Sequence, residues 1–76
     1  MLEVKIGELL LLRRKELGLS LEKLSEKAGI SLTSLTKYEK GRCLPTVGNL
    51  YKLSVALDLD YDEVCNILLK EKGSRD

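Results

Sequence analysis

The sequence has 76 residues, of which 43% are hydrophobic and 33% are charged, and its formal net charge is +1. A chain of this length is expected to fold as one small domain, here over residues 1–76, and to bury roughly 60% of the surface that its unfolded form exposes. The apolar run IGELLLL is much shorter than the roughly 20 residues of a membrane-spanning helix, and no secretory signal is recognisable. We therefore expect a cytoplasmic protein without a membrane partner.

The residue types that most enzymes and metal sites require are scarce. The sequence has no histidine, and its two cysteines, Cys43 and Cys65, stand far apart and outside any metal-binding spacing. Neither a glycine-rich phosphate loop nor a paired nucleophile and base is recognisable. These features predict a protein that is not an enzyme, binds no metal and needs no cofactor.

Charge is distributed unevenly along the chain. Residues 1–45 contain nine lysines and arginines against six acids, whereas residues 46–76 contain four against six. A basic first half and an acidic second half favour a polarised molecule with one face suited to a polyanion. By itself this asymmetry is a weak indication of function.

Apolar residues recur at helical spacing, and no segment has the alternation typical of a strand. Helices are predicted over residues 4–17, 21–28, 32–40, 47–57 and 60–72, with a short disordered tail after them. The last four each begin after or at a residue suited to an N-cap: Ser20, Ser31, Thr46 and Asp60. The predicted fold is a compact all-α domain of five helices, and its expected core contains Leu10, Leu17, Leu24, Ala28, Leu35, Leu50, Leu53, Leu57 and Val64.

The third predicted helix has two unlike faces. At about 100° per residue, Leu35 and Tyr38 fall on one side, with the ring of Tyr38 turned inward and its hydroxyl near the surface. The opposite arc carries no acid and consists of Leu32, Thr33, Thr36, Lys37 and Lys40. Short hydroxyl side chains and lysines favour a helix that enters the DNA major groove, about 12 Å wide. The alternative is an ordinary solvated face.

Several motifs between residues 6 and 69 resemble the Cro/cI-repressor-like (XRE-type) helix-turn-helix family. They are Arg14 before LGLS, LSEKAGIS across the turn, YEKG after the third helix, Pro45, and ALDLDYDEV leading into the fifth helix. The resemblance implies a lambda-repressor-like fold, with the helix-turn-helix formed by helices 2 and 3. It also implies a regulator, typically a repressor, that binds double-stranded DNA as a homodimer on inverted half-sites. Such a protein would be bacterial or phage-type, and nucleoid-associated when bound.

The resemblance also assigns roles by position. Base edges are expected to be read by Leu32, Thr33, Thr36 and Lys37. The DNA backbone is expected to contact Ser20, Leu21, Ser34, Lys40 and Arg42. Arg14 and Glu39 are expected to form an internal ion pair. Two positions depart from the family pattern, because Leu21 and Leu32 stand where polar residues are common, and Leu32 can offer a base only an apolar contact.

Two helices have more apolar residues than one buried stripe requires. On helix 5, the resemblance suggests a homodimer interface formed by Cys65, Ile67, Leu68 and Leu69. On helix 1, Leu11 and Leu12 are expected to point away from the core, where they either offer a surface to a protein partner or are covered by a flexible N-terminus folding over them. These surfaces keep a second function open, namely a protein-interaction module of the same fold, such as an antirepressor or a bridging factor.

Overall fold

A computed structural model describes residues 5–73 of the chain. Within this range there are five α-helices: α1 (Ile6–Glu16), α2 (Leu21–Ala28), α3 (Leu32–Glu39), α4 (Val47–Ala56) and α5 (Tyr61–Gly73). The five predicted helices are confirmed, and α2 has the predicted bounds. The predicted start of the first helix, at residue 4, lies outside the described residues, and so does the predicted tail after residue 72 except for Gly73, which is the last residue of α5.

The four predicted N-caps are confirmed, because each side-chain oxygen accepts an amide N–H three residues ahead. Ser20 accepts from Lys23 at 3.0 Å, Ser31 from Ser34 at 3.1 Å, Thr46 from Asn49 at 3.2 Å, and Asp60 from Glu63 at 3.2 Å. The first amides of a helix have no partner within it, so each cap satisfies one of them. These local bonds explain why the helix starts are readable from sequence.

Two adjoining apolar clusters form the core. One joins α1 to α2, α3 and α4 through residues such as Leu10, Leu24, Leu35 and Leu53, and the other joins α1, α4 and α5. Eight of the nine predicted core residues are buried: Leu10, Leu24, Ala28, Leu35, Leu50, Leu53, Leu57 and Val64. The prediction missed Ile6, Ile30, Pro45, Ala56 and Leu68, which are also buried.

The prediction for Leu17 is wrong, since its side chain is 40% exposed. Leu17 is the C-cap of α1, which ends at Glu16, and the chain then turns at Gly18 with a φ of 69°. The predicted helix over residues 4–17 assumed that helical geometry continued through Leu17. Because the chain turns there, the side chain lies at the edge of the domain.

The N-terminal end of α1 packs closely on the C-terminal end of α3. Gly7 is buried, and a Cβ atom at this position would clash with the carbonyl oxygen of Tyr38 and lie 3.2 Å from that of Glu39. The amide of Ile6 donates to the carboxylate of Glu71 at 2.9 Å, which ties the same end of α1 to α5. The start of α1 is therefore fixed by two other helices.

None of the helices in residues 5–73 has the length and apolar character needed to span a membrane.

Candidate nucleic-acid interface

The turn between α2 and α3 is set by residues 28–31. Gly29 is the C-cap of α2, with a φ of 71° in the left-handed region, and its amide donates to the carbonyl of Ser25 at 2.9 Å. A residue with a side chain is disfavoured in this conformation. Ile30 is buried in the core, and Ser31 begins α3 as its N-cap. The two helices are thus held by a glycine on one side of the turn and an apolar anchor on the other.

The inner face of α3 is held by an ion pair, as predicted. The Nε and Nη2 atoms of Arg14 lie 2.7 and 3.0 Å from the two carboxylate oxygens of Glu39, and only 12% and 7% of the two side chains are exposed. The remaining Nη1 atom of Arg14 donates to the carbonyl of Leu19 at 2.8 Å. The hydrogen bond to Glu39 raises the pKa of the Arg14 guanidinium, against the opposing effect of burial. Arg14 therefore fixes α3 against α1 and the loop before α2.

A second polar contact joins α3 to α4. The ring of Tyr38 is buried, and its hydroxyl accepts a hydrogen bond from the side-chain amide of Asn49 at 2.8 Å. This confirms the prediction that the Tyr38 ring packs inward. Asn49 also donates its backbone amide to the N-cap Thr46, so its position follows from the start of α4.

The outer face of α3 borders an open concavity of about 380 Å³. Its lining includes all four predicted base readers and two of the predicted backbone contacts: Leu32, Thr33, Thr36, Lys37, Lys40 and Arg42. The other three predicted backbone contacts do not line it. Ser20 is the N-cap of α2, Leu21 packs partly against the core, and Ser34 receives a hydrogen bond from the hydroxyl of Ser31 at 2.9 Å.

The concavity has a positive charge. Lys37, Lys40 and Arg42 are exposed, and the first turn of α3 has no acid. The acid nearest to them in sequence, Glu39, is buried in its pair with Arg14. Three cations therefore surround a surface of leucine and threonine side chains, which suits a phosphate-bearing ligand with apolar groups on its edges.

Arg42 is held in place by the end of α3. Gly41 has a φ of 74°, and its amide donates to the carbonyl of Tyr38 at 3.1 Å. The amide of Arg42 donates to the carbonyl of Lys37 at 2.9 Å. These two bonds form the Schellman arrangement that ends many helices. The turn thus directs Arg42 back to the concavity instead of continuing away from α3.

Sequence reasoning missed two residues that position this surface. Gly7 permits the close approach of α1 to α3, and its only local signal is a glycine inside an apolar helical run, which usually marks close packing. Asn49 was assigned no role, and nothing in its immediate sequence indicates a bond to Tyr38.

No group of three potential metal ligands occurs among residues 5–73.

The predicted dimer surface on α5 requires a correction. Leu68 is 1% exposed and belongs to the core cluster with Ile6, so it cannot contact a partner. Cys65 and Ile67 are half-buried against the same cluster, and only Leu69 is largely exposed, at 63%. The reason is that α5 packs on both α1 and α4, which buries a wider stripe than one neighbouring helix would.

Other exposed apolar residues lie on α4, for which no partner surface was predicted. Val47, Tyr51 and Val55 are exposed and four residues apart, so they follow one side of the helix. The ring of Tyr51 meets that of Tyr61, at the start of α5, edge to face, with centroids 5.4 Å apart. On α1, Leu12 is 62% exposed, whereas Leu11 is half-buried, so the predicted leucine pair is in fact one exposed residue.

Known proteins share both the sequence pattern and this architecture. The cryptic phage CTXphi transcriptional repressor RstR of Vibrio cholerae serotype O1 is 44% identical over 62 residues, which are 82% of this chain and 55% of RstR. The chain thus spans about half the length of this relative.

Two solved structures resemble the chain at a TM-score near 0.75. The biofilm regulator SinR of Bacillus subtilis, in complex with DNA, has a TM-score of 0.74 and 34% identity, over 79% of this chain and 97% of the SinR chain in that structure. The P22 c2 repressor, in complex with a synthetic operator, has a TM-score of 0.75 and 30% identity, over 80% of this chain and 92% of that one.

Residues 10–64 match the helix-turn-helix family model HTH_3. This match extends from the middle of α1 into α5 and includes the α2–α3 unit, the Arg14–Glu39 pair and the concavity. The chain therefore belongs to the helix-turn-helix family.

Proposed function

We propose that the protein is a sequence-specific transcriptional repressor that binds double-stranded DNA as a homodimer on inverted half-sites. The observation that carries the proposal is the concavity on α3, where three exposed cations surround leucine and threonine side chains without a competing acid. A helix with this exposed face suits the major groove, in which base edges are exposed between two rows of phosphates. The role requires no cofactor.

The relatives support the same role. RstR is a transcriptional repressor, and SinR and the P22 c2 repressor were each solved bound to DNA. The P22 c2 structure matches 80% of this chain. We therefore take the way in which the P22 c2 repressor binds its operator as the template for this domain. Residues 10–64 include every residue to which the proposal assigns a DNA contact.

The proposed DNA contacts fall into two groups. Leu32, Thr33, Thr36 and Lys37, on the first turns of α3, would meet base edges. Lys40 and Arg42, at the end of α3, would contact phosphates, together with Ser34 and with Ser20 and Leu21 at the start of α2. The amide of Leu21 is at the first position of α2, where the positive end of the helix favours an anion. Phosphate contacts of this kind fix register, whereas base contacts fix sequence.

The proposed dimer contact combines α4 and α5. One short recognition helix reads only a few base pairs, and each mismatch typically costs about 1–3 kcal/mol, so one domain alone discriminates poorly. A two-fold axis would double the number of pairs that are read and place the two α3 helices about 34 Å apart. Leu69 extends the side of α5 that carries Cys65 and Tyr61, and Tyr61 contacts Tyr51 of the α4 stripe. We assign the interface to this joint face.

Selection of bound duplexes from a random library tests the function directly. The expected result is a consensus of two inverted half-sites, with an affinity that falls linearly on a log–log plot against salt between about 50 and 200 mM. A library that yields no consensus, or an affinity independent of salt, would contradict the proposal.

A pair of leucine substitutions tests the dimer. Leu69→Glu is expected to convert the dimer to a monomer in sedimentation and to weaken operator binding while the helical signal persists. Leu12→Glu is the matched control, because Leu12 is equally exposed on α1, at 62% against 63%. A monomeric wild-type protein on its operator would refute the dimer. Loss of function in Leu12→Glu alone would instead favour the protein-interaction module.

A further inference from the structure

The hydroxyl of Thr36 is already engaged within α3. Its Oγ1 atom lies 2.9 Å from the carbonyl oxygen of Leu32, one turn earlier. A carbonyl oxygen has no proton, so the hydroxyl must be the donor, and a threonine hydroxyl has only one proton to give. Toward a ligand outside the helix, Thr36 therefore offers an oxygen that accepts, together with a methyl group.

Leu32 and Thr36 form one continuous part of the concavity. They are four residues apart on the same side of α3, and both line the concavity, with Leu32 40% exposed. The apolar side chain of Leu32 thus lies beside the methyl and the acceptor oxygen of Thr36. Lys37, the next residue, can only donate. This surface has its donor and its acceptor on separate residues.

The major groove offers few groups that fit such a surface. Thymine presents the only methyl group, and the only hydrogen-bond donors are N6 of adenine and N4 of cytosine. An A·T pair presents a methyl and a donor together. A G·C pair presents a donor without a methyl, so it would leave Leu32 against a polar edge.

We infer that Leu32 and Thr36 act together as a reader of A·T pairs. Leu32 and the methyl of Thr36 contact the 5-methyl group of thymine, and Oγ1 of Thr36 accepts from N6 of adenine. The inference rests on the proposed DNA-binding function and specifies which bases the concavity selects. It also gives a physical reason for a leucine at the start of the recognition helix, because a polar side chain there would hydrate the methyl contact.

Base analogues in the selected duplex test the two contacts separately. Replacing each thymine in turn by deoxyuridine removes one methyl group, and at the contacted position this should weaken wild-type binding about fourfold. Replacing the paired adenine by deoxynebularine removes the N6 amino group, and this should weaken binding about fivefold. Each effect should occur at one position of the half-site and its symmetry mate.

Protein variants then assign each contact to its residue. Leu32→Ala should bind the thymine and deoxyuridine duplexes almost equally. Thr36→Val retains shape and a methyl but has no acceptor, so it should become insensitive to deoxynebularine, whereas Thr36→Ser should remain sensitive. Thermal melts of each variant, with the wild type as reference, confirm that the fold is retained.

The outcomes separate this inference from the proposed function. If a salt-dependent consensus is found but neither analogue changes affinity, or the half-site contains no A·T pair, the readout is refuted and the DNA-binding function stands. If the analogue effects persist unchanged in Leu32→Ala and Thr36→Val, other residues make the contacts and the inference is again refuted. If no duplex is selected, both fail.

Discussion

The two faces of α3 differ in how firmly their side chains are held. On the inner face, Glu39 and Tyr38 are buried and bonded to Arg14 of α1 and Asn49 of α4. On the outer face, Lys37 and Thr33 are exposed and line a concavity. The same eight-residue helix thus combines a rigid base with an adaptable surface. Substitutions should therefore separate cleanly, with inner changes reducing stability and outer changes altering only binding.

The largest loss of stability is expected for Glu39→Ala. The change leaves the guanidinium of Arg14, which is 12% exposed, without its carboxylate partner. Removing one member of a buried pair typically costs 3–5 kcal/mol, so we expect a loss of about that size in the free energy of unfolding, measured by urea denaturation. Glu26→Ala is the control, since Glu26 is exposed on α2 in a pair of 3.9 Å with Lys23, and its loss should stay within about 0.5 kcal/mol. A loss below about 1 kcal/mol for Glu39→Ala would mean that the inner face is not rigidly held.

A smaller loss is expected for Gly7→Ala, which tests the close approach of α1 to α3. The added methyl would clash with the backbone carbonyl of Tyr38, which cannot move without displacing α3. Overpacking of this kind costs about 1–3 kcal/mol, more than the gain of up to about 1 kcal/mol from replacing a helical glycine. Gly48→Ala is the matched control, because Gly48 is also in a helix but has open space around it. Calorimetry should therefore record opposite shifts in Tm for the two variants, and shifts of the same sign would contradict the packing.

Changes on the outer face should alter binding without altering stability. Lys37→Ala, on the base-reading arc, is expected to change the preferred base at one position, by about 1–3 kcal/mol of discrimination. Arg42→Ala, on the turn after α3, should weaken all sequences nearly alike and reduce the salt slope by about 1. A panel of single-base operator variants measured by anisotropy checks both. Equal losses across the panel for the two proteins would remove the division between base and backbone contacts.

The helices of this protein could be predicted from sequence because their signals are local. Ser20, Ser31, Thr46 and Asp60 each cap a helix through an amide three residues away, so a short window contains both partners. The outer face of α3 was also predictable, because the regular rotation per residue within a single helix determines which of its residues lie on the same side.

Features that depend on several helices were not predictable in this way. The Arg14–Glu39 pair spans 25 residues and was inferred only through the family resemblance. Leu68 was predicted to lie on a partner surface because the apolar pattern of one helix does not reveal that α5 packs on two other helices at once. Gly7 and Asn49 act through contacts with a helix elsewhere in the sequence, so the residues around them do not show which group each one meets.

The smallest effect is expected at the end of α4, away from both faces of α3. Asp58 has a φ of 55° and is the only non-glycine residue among residues 5–73 with a positive φ. Its amide donates to the carbonyl of Val55 at 3.3 Å and the amide of Leu59 donates to the carbonyl of Ser54 at 2.8 Å, which repeats the turn that Gly41 makes after α3.

The left-handed conformation costs an L-residue roughly 1–2 kcal/mol, and it costs least for aspartate and asparagine. A glycine avoids this cost, but it also makes the unfolded chain more flexible. The added entropy of the unfolded state lowers the free energy of unfolding by about 0.4–1 kcal/mol. Asp58→Gly should therefore stabilise the domain by about 0.5 kcal/mol in urea denaturation, and Gly18→Asp, at the same turn position after α1, should destabilise it by a similar amount. Neither variant should change operator affinity, because neither residue lines the concavity on α3. A destabilised Asp58→Gly would mean that the aspartate side chain contributes more than its backbone conformation costs.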